Sequence, residues 1–172
     1  MAKREFLMLA HNYNPSKYGI AGWYMSEKLD GMRGFWDGGV SRGILKSKVP
    51  WANCTKDGRY IEEQVSTGLW SRYGNVIHAP DSWLDELPKD SFLDGELWQG
   101  YGHRQDLMST LKKQIPEEGT WDSIRFMCFD IPSHEGVFSD GVINNVNYNK
   151  VFRDILSWCE IEPNKPYSFT TV

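Results

Sequence analysis

The sequence predicts an α+β domain of antiparallel sheets with flanking helices, on three observations. Aromatic residues make up 14% of the chain, with eight each of Trp, Tyr and Phe. Such residues suit the pleated, half-buried surface of a sheet better than a helical bundle. Strand-like runs bounded by Gly, Asp and Pro recur along the chain, and helical spacing is confined to a few segments between and after them. At 172 residues the chain is long enough for one domain with a substantial core, or for part of a larger one.

Taken in order, Gly22–Met25 is an aromatic, strand-like approach to a glycine turn. Met32–Trp36 predicts a second strand, and Asp37-Gly38-Gly39 after it is a hairpin signal. Residues 44–66 are polar and mixed, broken by Pro50 and Lys56-Asp57-Gly58, and predict a long excursion between strands. Asp81 and Ser82 are placed to cap a short helix through Leu87, stopped by Pro88. Ser91–Trp98 predicts a strand around Asp94-Gly95-Glu96, and Asp106–Gln114 a helix ending before Pro116. Ile124–Ile131 is so nearly continuous in apolar residues that it predicts a strand buried on both faces. Tyr148, Val151, Phe152, Ile155, Leu156 and Cys159 recur at helical spacing and predict a core-facing helix, after which the chain trails off through Pro163 and Pro166.

Charge and cysteine usage narrow the function classes. The net charge of −4 is wrong for a protein that holds nucleic acid by bulk charge, so any such contact must be local or completed by other sequence. Cys54, Cys128 and Cys159 are scattered with no CxxC pair, which predicts reduced thiols rather than a zinc site or disulfides. His11, His78, His103 and His134 have no metal-ligand spacing. The apolar run Phe6–Ala10 is too short for a signal peptide or a membrane span, so the expectation is a cytoplasmic protein with no membrane partner. No GxxxxGK[ST] segment is present, which excludes a P-loop.

The segment with the most chemistry in it is Lys28-Leu29-Asp30-Gly31-Met32-Arg33. A lysine amine attacks phosphorus only when neutral, and its ordinary pKa near 10.4 falls with partial burial or nearby cations. Gly31 lets the backbone turn closely beneath a ligand, and Arg33 offers a planar fork of donors for phosphate or ribose oxygens. Read alone, the segment is suggestive of such a site, and the alternative is a surface turn with an incidental arginine. Glu96 and Phe129, read alone, are an ordinary strand acid and an ordinary core aromatic.

The company of that segment changes the reading. Ser71-Arg72-Tyr73-Gly74-Asn75, Leu93-Asp94-Gly95-Glu96-Leu97 and Phe126-Met127-Cys128-Phe129-Asp130 follow in order. Together the four resemble motifs I, Ia, III and IIIa of the covalent nucleotidyl transferases. The pattern is most similar to the minimal bacterial and phage ATP-dependent DNA ligases, from about Trp23 to Pro132. The resemblance implies an ATP-grasp-like nucleotidyltransferase domain in which Lys28 attacks the α-phosphate of ATP to give lysyl-AMP. AMP then passes to a DNA 5′-phosphate, and the nick is sealed in DNA repair, replication or recombination. It further implies that Ser26 and Glu27 lie beside the adenine. Asp30 would orient the reacting groups and Arg33 would hold ribose and a nick phosphate. Ser71 and Arg72 would contact nicked double-stranded DNA. Glu96 would bind ribose or a divalent metal, Mg²⁺, through water, and Phe129, rather than the alternative Phe126, would stack on the base. Ser41-Arg42-Gly43 also begins like motif Ia and competes with Ser71-Arg72.

NAD-dependent ligases carry an extra domain upstream of this motif and 27 residues precede Lys28 here, so the expectation is ATP as the donor. RNA ligases lack the SRxGN segment, and capping guanylyltransferases share KxDGxR but fit less well from Ala79 to Trp98. The sequence also departs from the ligase pattern. Residues 44–66 read as an insertion whose Lys46, Lys48, Lys56 and Arg59 form either a solvated loop or, less simply, a DNA-contacting one. The family often has arginine where this chain has Tyr101, and an aromatic where it has Arg104. Glu135-Gly136-Val137 resembles motif IV only superficially. The expectation is therefore the N-terminal portion of an adenylation domain, weak or inactive in ligation alone. A downstream polypeptide carrying motifs IV–VI and an OB-fold domain would complete it. A non-catalytic remnant that binds ATP or DNA ends, or a capping-type fragment, is the alternative.

Overall fold

The computed structural model describes residues 7, 9, 12–21, 27–53, 64–89, 91–132 and, for the backbone alone, 167–169. The strand expected at Gly22–Met25 and the helical stripe of Tyr148–Cys159 lie outside these residues, as do Ser26, Lys56, Arg59 and Glu135–Val137.

One sheet organises the chain. Its strands are β1 (Met32–Asp37), β2 (Leu69–Ser71), β3 (Phe92–Trp98), β4 (Arg125–Asp130) and β5 (Tyr167–Phe169), in the order β2-β1-β3-β4-β5. The first four are antiparallel neighbours, whereas β5 runs parallel to β4, a strand the sequence reading did not anticipate. The Asp37-Gly38-Gly39 turn forms, with φ of 70° and 79° at the glycines. It does not close a tight hairpin, because β1 takes β2 as its partner across the 44–66 excursion. Within that excursion a 3-10 turn spans Lys46–Lys48, and Leu45 bridges to Val65. Lys46 is buried rather than solvated, and Lys48 is exposed.

Among the described residues three short helices lie between strands: α1 (Asp81–Asp85), α2 (Arg104–Leu111) and α3 (Glu118–Trp121). The expected cap on α1 is not made. Pro80 occupies that position, while Ser82 donates to Glu118 at 2.6 Å and Asp81 takes an ion pair from Arg42. Proline fits there because its fixed φ suits the helix entrance. The helix α2 begins two residues earlier and ends three residues earlier than the spacing predicts.

Period-two alternation gives the sheet two different faces. Trp36, Leu69, Leu93, Leu97, Phe126 and Cys128 point to one face and pack with Trp83, Leu84, Leu107, Leu111, Trp121 and Ile124 from the helices and their connectors. Gly34 and Gly95 pair across β1 and β3 on that face. A Cβ on Gly95 would stand 2.6 Å from the Phe126 ring, so the glycine makes room for this core aromatic. The opposite face is divided. One end carries an aromatic cluster of Phe35, Trp70, Trp51 and Phe92 in edge-to-face contact. Beneath it, buried Asp37 accepts from Trp70 at 2.9 Å and from Ser41. The other end is open.

The strand expected to be buried on both faces is therefore buried on one. In β4, Phe126 and Cys128 are fully buried, while Met127 and Phe129 are half-exposed toward the open end. Among the described residues no helix is long and apolar enough to cross a membrane.

Candidate functional site

The open end of the second face is a cleft of about 880 Å³. Its walls include Glu27, Lys28, Arg33, Ser71, Arg72, Glu96 and Phe129, brought together from four separated stretches of sequence. Met127, Met108 and Met32 add apolar surface, and Arg104 adds a further cation.

Each side chain reaches the cleft for a local reason. Arg33 lies on the face of β1 away from the helices, and Glu96 pairs with it across β3. Phe129 is delivered by an irregularity: Asp94 pairs with Asp130 and Gly95 with Cys128, so Phe129 is the extra residue of a bulge in β4. Bulges re-aim side chains in this way. Lys28 is exposed at the cleft wall rather than partly buried, held by buried Leu29 behind it and by Gly31 after it. The Gly31 amide donates to Glu96 Oε1 at 3.1 Å, and a Cβ at Gly31 would lie 2.1 Å from the Leu97 carbonyl oxygen. Only glycine permits that approach.

The electrostatics are those of cations gathered over shielded acids. Arg33 donates to both oxygens of Asp94, at 2.9 and 2.6 Å, and its guanidinium carbon stands 5.4 Å from the centre of the Phe129 ring. The Asp94 bond holds the Arg33 guanidinium even more firmly protonated than usual. Burial pushes the Asp94 carboxyl up despite that arginine. Burial likewise pushes Glu96 up, opposed by the Gly31 amide and by the charges of Lys28, Arg104 and Arg33. Asp130 is raised by burial and then by the neighbouring charge of Asp94. Lys28, Arg33, Arg72 and Arg104 stand on the cleft wall with Glu27 and Glu96, while the acids paired with Arg33 and Arg104, Asp94 and Asp30, lie off the wall, so cations are concentrated at the cleft surface of a chain that is acidic as a whole. That is the local arrangement an anionic ligand requires.

Several expected residues stand elsewhere. Asp30 is exposed and paired with Arg104 at 2.9 Å rather than turned to the cleft wall. Phe126 is sealed in the core, so of the two candidate phenylalanines Phe129 is the one that lines the cleft, where Tyr73 is a second aromatic. Ser41 is buried against Asp37, and Arg42 is engaged by Asp81 and Asp85, whereas Ser71 and Arg72 line the cleft. Sequence reasoning missed Asp94 as the partner of Arg33, although it sits inside the Asp-Gly-Glu segment, and missed the roles of Tyr101, Arg104, Met108 and Met127. Among the described residues no group of three or more His, Cys, Asp or Glu is placed to hold a metal ion. Glu96, half-buried on the wall, suits an ion that takes its remaining oxygens from phosphates and water.

A cleft with an accessible lysine, a fork of guanidinium donors and an aromatic ledge on an antiparallel sheet has the chemistry of a site for a phosphorylated ring compound. Comparison with known proteins defines the class further. No family model matches the chain. A DNA ligase of Haemophilus influenzae is 31% identical over 130 residues, which are 76% of this chain and 36% of that ligase. A solved structure from a structure–function study of DNA binding by the minimal scaffold of Lig E DNA ligases gives a TM-score of 0.62 at 26% identity. That match covers 96% of this chain and 50% of the other. The chain is thus similar to DNA ligases, and it spans half or less of the length of these two relatives.

Proposed function

We propose that this chain carries the nucleotide-binding and lysine-reacting part of an ATP-dependent DNA ligase. The observation that supports the reading best is the single cleft shared by Lys28, Arg33, Glu96 and Phe129. The adenine rests on Phe129, where base–aromatic stacking contributes about 1–3 kcal/mol. Arg33 and Arg72 face the ribose and phosphates. The neutral Lys28 amine attacks the α-phosphorus, a nitrogen–phosphorus bond forms, and the bond to the leaving pyrophosphate breaks. The displaced amine proton goes to solvent.

The AMP is then passed to a 5′-phosphate of nicked DNA, and attack by the 3′-hydroxyl closes the nick and frees AMP. Ser71 and Arg72, on the same wall, suit the nick phosphate. Mg²⁺, held by Glu96 together with phosphate oxygens, would offset charge as pyrophosphate departs. Sealing would draw on a further polypeptide segment bearing motifs IV–VI and an OB-fold domain.

The test is incubation with α-labelled ATP or GTP and Mg²⁺, followed by denaturing electrophoresis. Label from ATP on the wild-type chain, absent in Lys28→Ala, is the expected result. Label from GTP alone would move the chain to the capping enzymes. Absence of label from either, even with a ligase C-terminal half added, would make it a binding remnant.

A further inference from the structure

We propose that Tyr101 and Arg104 are positioning residues that clamp the Lys28 loop from the β3–α2 connector, an inference that rests on the reading of Lys28 above. Residues 27–31 belong to no helix or strand, so the placement of Lys28 depends on side-chain contacts to the loop. Those contacts bracket the lysine. Tyr101 donates its hydroxyl to Glu27 Oε2 at 2.8 Å, one residue before Lys28. Arg104 Nη1 donates to Asp30 Oδ1 at 2.9 Å and to the Gly31 carbonyl at 2.6 Å, two and three residues after it.

The connector is built to present both groups. Gly100 and Gly102 take φ of 103° and 79°, a left-handed conformation that L side chains rarely adopt, and they throw Tyr101 out at the tip. The Tyr101 ring is braced edge-on against Trp98, with centroids 5.2 Å apart, so the hydroxyl is aimed by the end of β3. Arg104 opens α2, whose buried Leu107 and Leu111 anchor it to the core. The clamp therefore ties a loop without secondary structure to the two elements that flank the cleft. This connector is also where the sequence departs from the ligase pattern, with the aromatic and the arginine in exchanged positions. The bonds to Glu27 and Asp30 are solvent-exposed and the one to the Gly31 carbonyl is part-buried, so together they add little to global stability. Their effect falls on orientation, where a displacement of about 1 Å costs on the order of a hundredfold in rate.

Tyr101→Phe, Arg104→Met, the double variant and Arg104→Lys test this in the full chain. Without nucleotide, hydrogen exchange of the Gly31 amide, which is bonded to Glu96, should rise about tenfold in the double variant while β3 and β4 stay unchanged. Arg104→Lys, which keeps one cationic donor, should stay nearer wild type. With α-labelled ATP, the saturated rate of Lys28 labelling should fall about tenfold or more, with less than about a twofold change in half-saturating nucleotide. Unchanged exchange at the Gly31 amide overturns the clamp. A weaker affinity with an unchanged saturated rate also overturns it and makes Arg104 a substrate contact. Absence of label on the wild-type chain, with the exchange pattern as expected, leaves the clamp standing and removes the nucleotidyl-transfer reading.

Discussion

Gly31→Ala puts the close approach of the Lys28 loop to β3 under direct load. The added Cβ would sit 2.1 Å from the Leu97 carbonyl oxygen and 2.8 Å from Glu96 Cγ. A relaxed carbon–oxygen contact is about 3.3 Å, so the backbone must retreat by about 1 Å. That retreat strains the packing, typically by about 1–3 kcal/mol. It also breaks the Gly31 amide bond to the Glu96 carboxylate. A bond to a charged group contributes about 1.5–3 kcal/mol, less here because Glu96 is only half-buried. A total near 3 kcal/mol, at roughly 2–4 °C per kcal/mol for a chain of this size, lowers the melting temperature by about 6–12 °C. Gly119→Ala is the matched control, because nothing lies within 4 Å of its Cβ and it sits in α3. Alanine there should leave the midpoint unchanged or raise it by about 1–4 °C. Thermal unfolding followed by near-ultraviolet circular dichroism reads both variants. A Gly31→Ala midpoint within about 2 °C of the Gly119→Ala midpoint would refute the packing argument.

Two other outcomes follow from the geometry. Asp130 binds its proton more tightly folded than unfolded, so wild-type stability falls as pH rises above the ordinary aspartate value of 3.8. Asp130→Asn keeps the acceptor for the Ile131 amide and removes the charge, so its urea midpoint should match wild type near pH 3, exceed it increasingly as pH rises above 3.8, and hold a constant excess once Asp130 is ionised in the folded state. A difference independent of pH would contradict this. Phe126→Ala should cost about 3–5 kcal/mol in urea unfolding, because the ring is fully buried. Phe129→Ala should cost under about 1 kcal/mol of stability yet weaken ATP binding roughly 5- to 150-fold by titration calorimetry. Equal effects of the two on both measurements would show that the faces of β4 are assigned wrongly.

Two strands of the sheet were legible locally, β3 from its alternation around Asp94-Gly95-Glu96 and β1 from an aromatic run closed by Asp37-Gly38-Gly39, and both sets of bounds hold within a residue, whereas the three-residue β2 gave no such signal. The β4 assignment reached the right segment but the wrong burial. A run such as Arg125–Asp130 reads as continuously apolar whether its second face meets protein or a cleft lined by Met127 and Phe129. The cap of α1 failed because Ser82 is drawn to Glu118, 36 positions away, a tertiary competitor that no local pattern contains. The strand β5 was missed because it is short and gains its definition from β4. At the site, the segments around Lys28, Arg72, Glu96 and Phe129 were readable as an ordered set. Arg104 was noticed only as a departure, since its contact with Gly31 spans 73 positions and depends on two glycines shaping a turn.

The single surplus residue in β4 means that this strand keeps two rhythms at once. Up to Cys128 it marches in step with β3; after Phe129 the step resumes with Asp130 opposite Asp94. A chain shortened by that one position could still zip its ladder and bury its interior, yet it would present no ring to the opening beside Arg33. Stability and ligand recognition are thereby written into the same six residues in a way that lets one be erased without the other.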